Sequence, residues 1–133
     1  MSGIPERSRR LVKERERFRC ARCGGPGSQW HHRRGRAVRG DHQHCACNGV
    51  WLCHECHRWA HDYPDEARRD GWIVTRDEEF PWMVPTLRFG QWWAQNCEGV
   101  LLHLPRLSVT VRERPEVALT QLVQAGLIPS DVD

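Results

Sequence analysis

The sequence predicts a small α+β fold that is stabilised by a structural zinc ion. Two Cys-x-x-Cys pairs, Cys20 with Cys23 and Cys53 with Cys56, can offer four thiolates to one tetrahedral ion, a ligand set that suits zinc better than other common divalent metals. Short segments of strand and helix character lie between and beside the pairs. At 133 residues, the chain is long enough for one domain and too short for two ordinary ones.

Disulfides or inert buried cysteines are the alternative to a zinc site. The chain shows no signal peptide and starts with a short Arg-rich stretch, which favours an intracellular protein whose thiols stay reduced. No apolar stretch approaches the ~20 residues that span a membrane. We therefore expect a soluble, cytoplasmic protein with a structural zinc.

The first predicted elements are a helix and a strand. Residues 4–17 predict the helix, with Pro5 near its first turn. Residues 28–33 are short and aromatic enough to form the strand, which carries His31 and His32. Because adjacent strand residues point to opposite faces, these two histidines cannot share a role. One can bind a metal ion while the other acts as a general base.

A second predicted helix carries two further histidines. His57 follows Cys56 directly, and the spacing of four residues to His61 places both imidazoles on one face of the helix. A site made of four cysteines uses none of the histidines, so this helix can present two nitrogen ligands to another ion. A third nitrogen could come from the doublet of His31 and His32. Such ligands suit zinc, nickel, manganese or cobalt better than magnesium, which prefers oxygen.

The remaining elements are short. Residues 64–71 predict a helix capped by Gly71. Strands are predicted at residues 72–75, at Trp92 and Trp93, and at residues 100–104. Residues 114–126 predict an amphipathic helix, which either packs on its own domain or docks on a second copy or another protein.

Four side chains in the second half of the chain have predicted roles. Trp92 and Trp93 are expected in the core or sheet, with a stacking platform for unpaired bases as the alternative. Cys97 and His103 are expected to be ordinary side chains, because neither has a partner at ligand spacing.

Positive charge is concentrated at one end of the chain. Residues 1–40 carry a net charge of +9 and residues 41–133 a net charge of −6, against +3 for the whole protein. A run of arginines directly after His32 is predicted to contact DNA phosphates, which raises affinity without specifying sequence: Arg33, Arg34, Arg36 and Arg39. For the arginines before Cys20, phosphate contact and a solvated helical face remain equal alternatives, since Glu14 and Glu16 interrupt them.

Taken together, these motifs resemble the HNH endonuclease family, whose core is a ββα-metal fold often flanked by two Cys-x-x-Cys pairs. The likeness covers residues 18–75 and rests on the cysteine pairs, the His31–His32 doublet, Asn48 and the histidines of the second helix, in that order. The run from His61 through Trp72 is also similar to HNH proteins of actinobacterial phages.

The resemblance implies specific roles for residues. His32 would be the general base, and Asn48 would orient the loop and this base. His31, His57 and His61 would hold one catalytic divalent ion, Mg²⁺, Mn²⁺, Ni²⁺ or Zn²⁺, while the four cysteines would hold the structural Zn²⁺.

The chain departs from the family pattern in two places. Position 49 is glycine where an apolar strand residue is usual. The loop over residues 41–47 adds His42, His44, Cys45 and Cys47. One of its cysteines could replace a thiol of the pairs, the loop could hold an additional ion, or its thiols could be incidental.

We therefore predict four segments: a basic N-terminal arm (1–17), an HNH core (18–75), a strand-rich extension (76–111) and a C-terminal helix and tail (112–133). The predicted function is a metal-dependent DNA endonuclease that nicks or cuts phosphodiester bonds by a one-metal mechanism. The alternative is a catalytically silent, zinc-stapled nucleic-acid-binding module that acts as a recruiter or regulator. A redox role for the cysteine pairs is weak, since no βαβ pattern surrounds them.

Overall fold

The computed structural model describes residues 3–35, 39–40, 42–78 and 80–104. They form a mixed structure of helices and small sheets, which confirms the predicted α+β class. The helices are α1 Glu6–Arg15, α2 His54–Asp62 and α3 Pro64–Arg69. The strands are β1 Gln29–His32, β2 Gly49–Leu52, β3 Thr86–Arg88, β4 Gln91–Gln95 and β5 Leu101–His103.

Strands β1 and β2 form an antiparallel hairpin on which helix α2 packs. In this hairpin His31 pairs with Val50, and His32 pairs with Gly49. Helix α2 begins directly after β2 and contacts both strands. Val50 and Ala60 of α2 are fully buried in the main hydrophobic core. The predicted strand and helix are confirmed here, and they bring the histidine doublet to the helix that carries the other histidines.

The glycine at position 49 is explained by close packing rather than by backbone conformation. Gly49 has an ordinary extended backbone, with a φ of −111°. A Cβ atom added to it would lie 2.2 Å from Cζ2 of Trp30, well inside van der Waals contact. The indole of Trp30 therefore occupies the space that an apolar side chain at position 49 would need.

The strand predicted for residues 72–75 is wrong apart from one bridge. Helix α3 ends just before Gly71, which turns the chain with a left-handed φ of +87°, as its predicted capping role requires. A Cβ atom at this glycine would lie 2.0 Å from the backbone oxygen of Pro85. The chain then buries Trp72, and only Val74 makes an isolated bridge to another segment. The close packing of Gly71 against Pro85 therefore takes the place of the predicted strand pairing.

Strands β3, β4 and β5 form a separate antiparallel sheet. Strands β4 and β5 confirm two of the predicted strands, whereas β3 was not predicted. Trp92 is buried, which confirms its core role, and Trp93 packs against His103 with ring centroids 4.7 Å apart. The predicted N-terminal helix is confirmed as α1.

A buried polar network joins α1 to this sheet and to the turn before β2. Glu16, just after α1, lies 2.7 Å from Arg15 and 2.5 Å from Arg88 of β3. Arg88 also donates to Oε1 of Gln95 in β4 at 2.8 Å. The amide of Gln95 in turn donates to the backbone oxygens of Ala46, Cys47 and Gly49. The network makes α1, the sheet and this turn one packed unit.

Two predicted features, the helix over residues 114–126 and Arg36, lie outside the described residues. Within the part of the chain that the structure describes, no helix combines the length and the apolar character needed to cross a membrane.

Candidate functional site

The two Cys-x-x-Cys pairs converge on one point, as predicted. The Sγ atoms of this four-cysteine cluster lie within 4.8 Å of one another: Cys20, Cys23, Cys53 and Cys56. Across the cluster, the sulfurs of Cys23 and Cys53 are 3.8 Å apart. Zn–S bonds of about 2.3 Å in a tetrahedron separate sulfurs by ~3.8 Å, so the cluster fits a structural zinc.

Backbone N–H groups hold the sulfurs of this cluster in place. Cys53 caps helix α2 by accepting from the backbone N–H of Cys56 at 3.3 Å, and Cys20 accepts from that of Cys23 at 3.5 Å. Burial alone would raise the pKa of Cys20, but hydrogen bonds from the backbone N–H groups around it lower this pKa to about 7. Thiolates are the form that binds zinc, so the lowered pKa of Cys20 favours metal binding by this residue, whereas burial raises the pKa of Cys56. All seven cysteines are free thiols, so the disulfide alternative is not supported.

A second group of ligands is the three-histidine cluster, formed by His31, His57 and His61. One ring nitrogen from each lies within 4.8 Å of the others. The Nε2 atoms of His57 and His61 are 3.3 Å apart. With metal–nitrogen bonds of about 2.0–2.1 Å, tetrahedral ligands lie ~3.3 Å from each other. The predicted spacing of four residues on α2 has therefore put both imidazoles at ligand distance.

Hydrogen bonds fix which ring nitrogen two of these histidines can offer. Nε2 of His31 donates to the backbone oxygen of Trp72 at 2.7 Å, which leaves Nδ1 for a ligand. Nδ1 of His57 donates to Oε1 of Gln29 at 2.6 Å, which leaves Nε2. Metal-binding histidines commonly have such partners on their second nitrogen. Burial lowers the pKa of His31 to about 3, so its ring is neutral and able to bind metal at physiological pH.

His32 lies beside this cluster on the next residue of β1. A cleft of about 390 Å³ is lined by Ile4, Trp30, Gly35 and the histidines His31, His32, His57 and His61. The structure therefore brings the predicted base and the predicted ligands to one cleft. Nε2 of His32 lies 3.1 Å from Nδ1 of His44. The contact between His44 and His32 was not predicted, because a separation of 12 residues in sequence gives no indication of it.

Asn48 is fully buried. It connects the segment that follows His32 to the segment that precedes His44. Its Oδ1 accepts from the backbone N–H of Arg34 at 2.7 Å. Its Nδ2 donates to the backbone oxygen of Gln43 at 3.0 Å. These bonds reach one segment just after the predicted base and another just before His44, which is the geometry that an orienting residue requires.

The prediction that Arg33 and Arg34 contact phosphate is wrong. Arg33 is 1% exposed, and its guanidinium donates to the backbone oxygens of Gly71, Cys47, Pro81 and Val84. Arg34 is 6% exposed and donates to the backbone oxygen of Glu78. A basic run looks the same in sequence whether its side chains face solvent or tie backbone segments together. Arg39, by contrast, is exposed.

A further group of potential ligands, here called the His42 cluster, includes three residues of the loop for which an additional ion was one of the open alternatives. Its ligand atoms lie within 4.8 Å of one another: His42, Cys45, Cys47 and Cys97. The prediction that Cys97 is an ordinary side chain is therefore wrong. Its partner His42 lies 55 residues away in sequence, so ligand spacing could not reveal the contact. The two extra cysteines of the loop were the available signal.

Comparisons of the chain with protein-family models, with curated proteins and with solved structures each found no match.

Proposed function

We propose that this protein is a metal-dependent DNA endonuclease with an HNH-type core. The observation that carries the proposal is the convergence of His31, His57 and His61 on one point in a cleft that His32 also lines. A purely structural metal site would not need a further imidazole beside it. The hairpin of β1 and β2 with helix α2 also supports the likeness to the ββα-metal core.

The chemistry follows from these side chains. A divalent ion in the three-histidine cluster would offset charge on the phosphate in the transition state. His32 takes a proton from water as the water oxygen bonds to phosphorus. The bond from phosphorus to the 3′ oxygen breaks, and that oxygen is protonated by solvent. Neutral imidazole suits this role because its ordinary pKa is ~6.5.

Positioning groups support the same reaction. Asn48 connects the segments beside His32 and His44 through backbone hydrogen bonds. Gln29 and the backbone oxygen of Trp72 orient the ligands His57 and His31. We infer that the four-cysteine cluster holds zinc for stability alone, since it uses none of these histidines.

DNA is the proposed substrate because exposed arginines lie near the cleft residues in sequence. Ile4 lines the cleft, so helix α1 begins at its edge. Arg7 and Arg10 on this helix are exposed, as is Arg39 after β1. Arginine at such positions can contact phosphate oxygens without reading sequence.

Relaxation of supercoiled plasmid tests the proposal. Purified protein is incubated with Mg²⁺, Mn²⁺, Ni²⁺ or Zn²⁺, in parallel with His32→Ala and with His103→Ala, which removes an exposed imidazole outside the cleft. We expect nicking that is lost in His32→Ala and kept in His103→Ala. Equal nicking by both variants would contradict the assigned base. Salt-sensitive DNA binding without cleavage in any metal would favour the silent binding module instead.

A further inference from the structure

We propose that the His42 cluster binds a second structural zinc ion. The cluster offers three sulfurs and one imidazole nitrogen from two segments that are distant in sequence: His42, Cys45, Cys47 and Cys97. Three thiolates and one imidazole are a common ligand set of structural zinc. The proposal does not depend on nuclease activity.

The distances agree with a tetrahedral ion. Nδ1 of His42 lies 3.7 Å from the sulfur of Cys47 and 3.7 Å from the sulfur of Cys97. Zinc bonded to nitrogen at about 2.0 Å and to sulfur at about 2.3 Å separates these atoms by ~3.6 Å. Cys97 is too far in sequence from the three loop ligands to meet them by local folding alone.

The backbone holds the ligands ready for an ion. Cys45 precedes a 3₁₀ turn that ends at Asn48, and its backbone oxygen accepts from the N–H of Asn48 at 2.9 Å. Gln95, two residues before Cys97, donates to the backbone oxygen of Cys47 at 3.0 Å. Cys47 itself is fully buried. The loop ligands and the Cys97 segment are therefore fixed to each other by bonds that do not involve the ligand atoms.

Cysteine use in the chain supports the same conclusion. The four-cysteine cluster and the His42 cluster together account for all seven cysteines of the protein. Cys47 is buried and the other three ligands are partly exposed, and one ion would satisfy all four of them. Zinc at this place would tie the loop that carries His44 to the end of β4.

Native mass spectrometry of zinc-grown protein tests the proposal. The parent for this measurement is His57→Ala, because that substitution disables the three-histidine cluster and leaves only the sulfur-containing clusters to be counted. We expect two zinc ions per chain in the parent, and one after adding Cys97→Ser. His103→Ala added to the same parent is the control and should keep both ions.

Two results would overturn the proposal. One is a single zinc ion per chain in the parent, and the other is an unchanged zinc count after adding Cys97→Ser. If the Cys97→Ser protein fails to fold, the count in the parent still decides, because it needs no change in the His42 cluster.

Discussion

Nε2 of His61 lies 3.3 Å from Nε2 of His57, one helical turn earlier on α2. The two nitrogens face each other without a shared carboxylate or carbonyl between them in the part of the chain that the structure describes. Without an ion, one ring N–H can donate to the other nitrogen at this distance. The same separation suits two nitrogen ligands of one metal ion, and replacing His61 tests whether an ion binds there.

Replacing His61 by alanine should weaken binding of the proposed catalytic ion at least ~10-fold, because one of three ligands is lost. The side chain is exposed, so the fold should be kept. Calorimetric titration with Mn²⁺ or Ni²⁺ measures the affinity, and thermal melting checks the fold. His103→Ala removes an exposed histidine outside the cleft; it is the control and should bind the ion normally. Full activity of His61→Ala at limiting metal would remove this residue from the ligand set.

Replacing Cys23 by serine should unfold or aggregate the protein. Zinc binding to a structural site is coupled to folding and contributes roughly 10 kcal/mol or more, which exceeds the free energy of unfolding of most small domains. Circular dichroism against temperature measures the effect, and a strong chelator should reproduce it in the unmodified protein. A soluble variant with an unchanged melting curve would argue against zinc at the four-cysteine cluster.

Arg33→Ala should lower the stability of the fold, whereas Arg39→Ala should weaken DNA binding. Arg33→Ala removes the partner of several buried backbone oxygens, so we expect the free energy of unfolding to fall by roughly 3 kcal/mol. Arg39→Ala should leave the melting temperature unchanged and weaken DNA binding. Its plot of log affinity against log salt should be shallower by about 0.9. Urea unfolding and DNA-binding titrations at several salt concentrations measure the two effects. A stable Arg33→Ala protein that binds DNA poorly would restore the original phosphate role.

Glu16 should make stability depend on acid pH. Burial alone would raise the pKa of Glu16, but the charges and hydrogen bonds of Arg15 and Arg88 outweigh burial and hold this pKa below its ordinary value. The unfolded chain therefore takes up the proton first as the pH falls. The stabilisation is complete above pH ~4.5 and is lost as the pH falls through the pKa of the folded state.

Glu16→Gln tests this dependence. It should cost roughly 3 kcal/mol near pH 7, because Arg88 is left as an uncompensated buried charge. The difference from the unmodified protein should shrink below pH ~4.5. Comparing the two proteins at each pH cancels any loss of zinc in acid. Glu14→Gln, on the exposed side of α1, is the control. A difference that stays constant with pH would show that the ion pair does not control acid stability.

Local spacing was predicted well, whereas contacts between distant segments were predicted only where shared metal-ligand chemistry linked them, as for the two Cys-x-x-Cys pairs. The pairing of Cys53 with Cys56 and of His57 with His61 depends on spacing within one turn, so the sequence alone sufficed. The contacts of Cys97 and of Arg33 depend on segments that meet only after folding. The failure at residues 72–75 has the same cause, since the approach of Pro85 cannot be read from that segment.

The hydrogen bonds of Gln95 limit which fragments of this protein can be expected to fold. Its amide satisfies three backbone oxygens of the turn that leads into β2, and Arg15 of α1 donates to two of the same oxygens. A fragment limited to residues 18–75 would keep the cleft histidines but lose both of these donors. Such a fragment is not an autonomous minimal unit. The flanking segments complete the hydrogen bonding of the motif that they enclose, so a shortened protein should keep both α1 and β4.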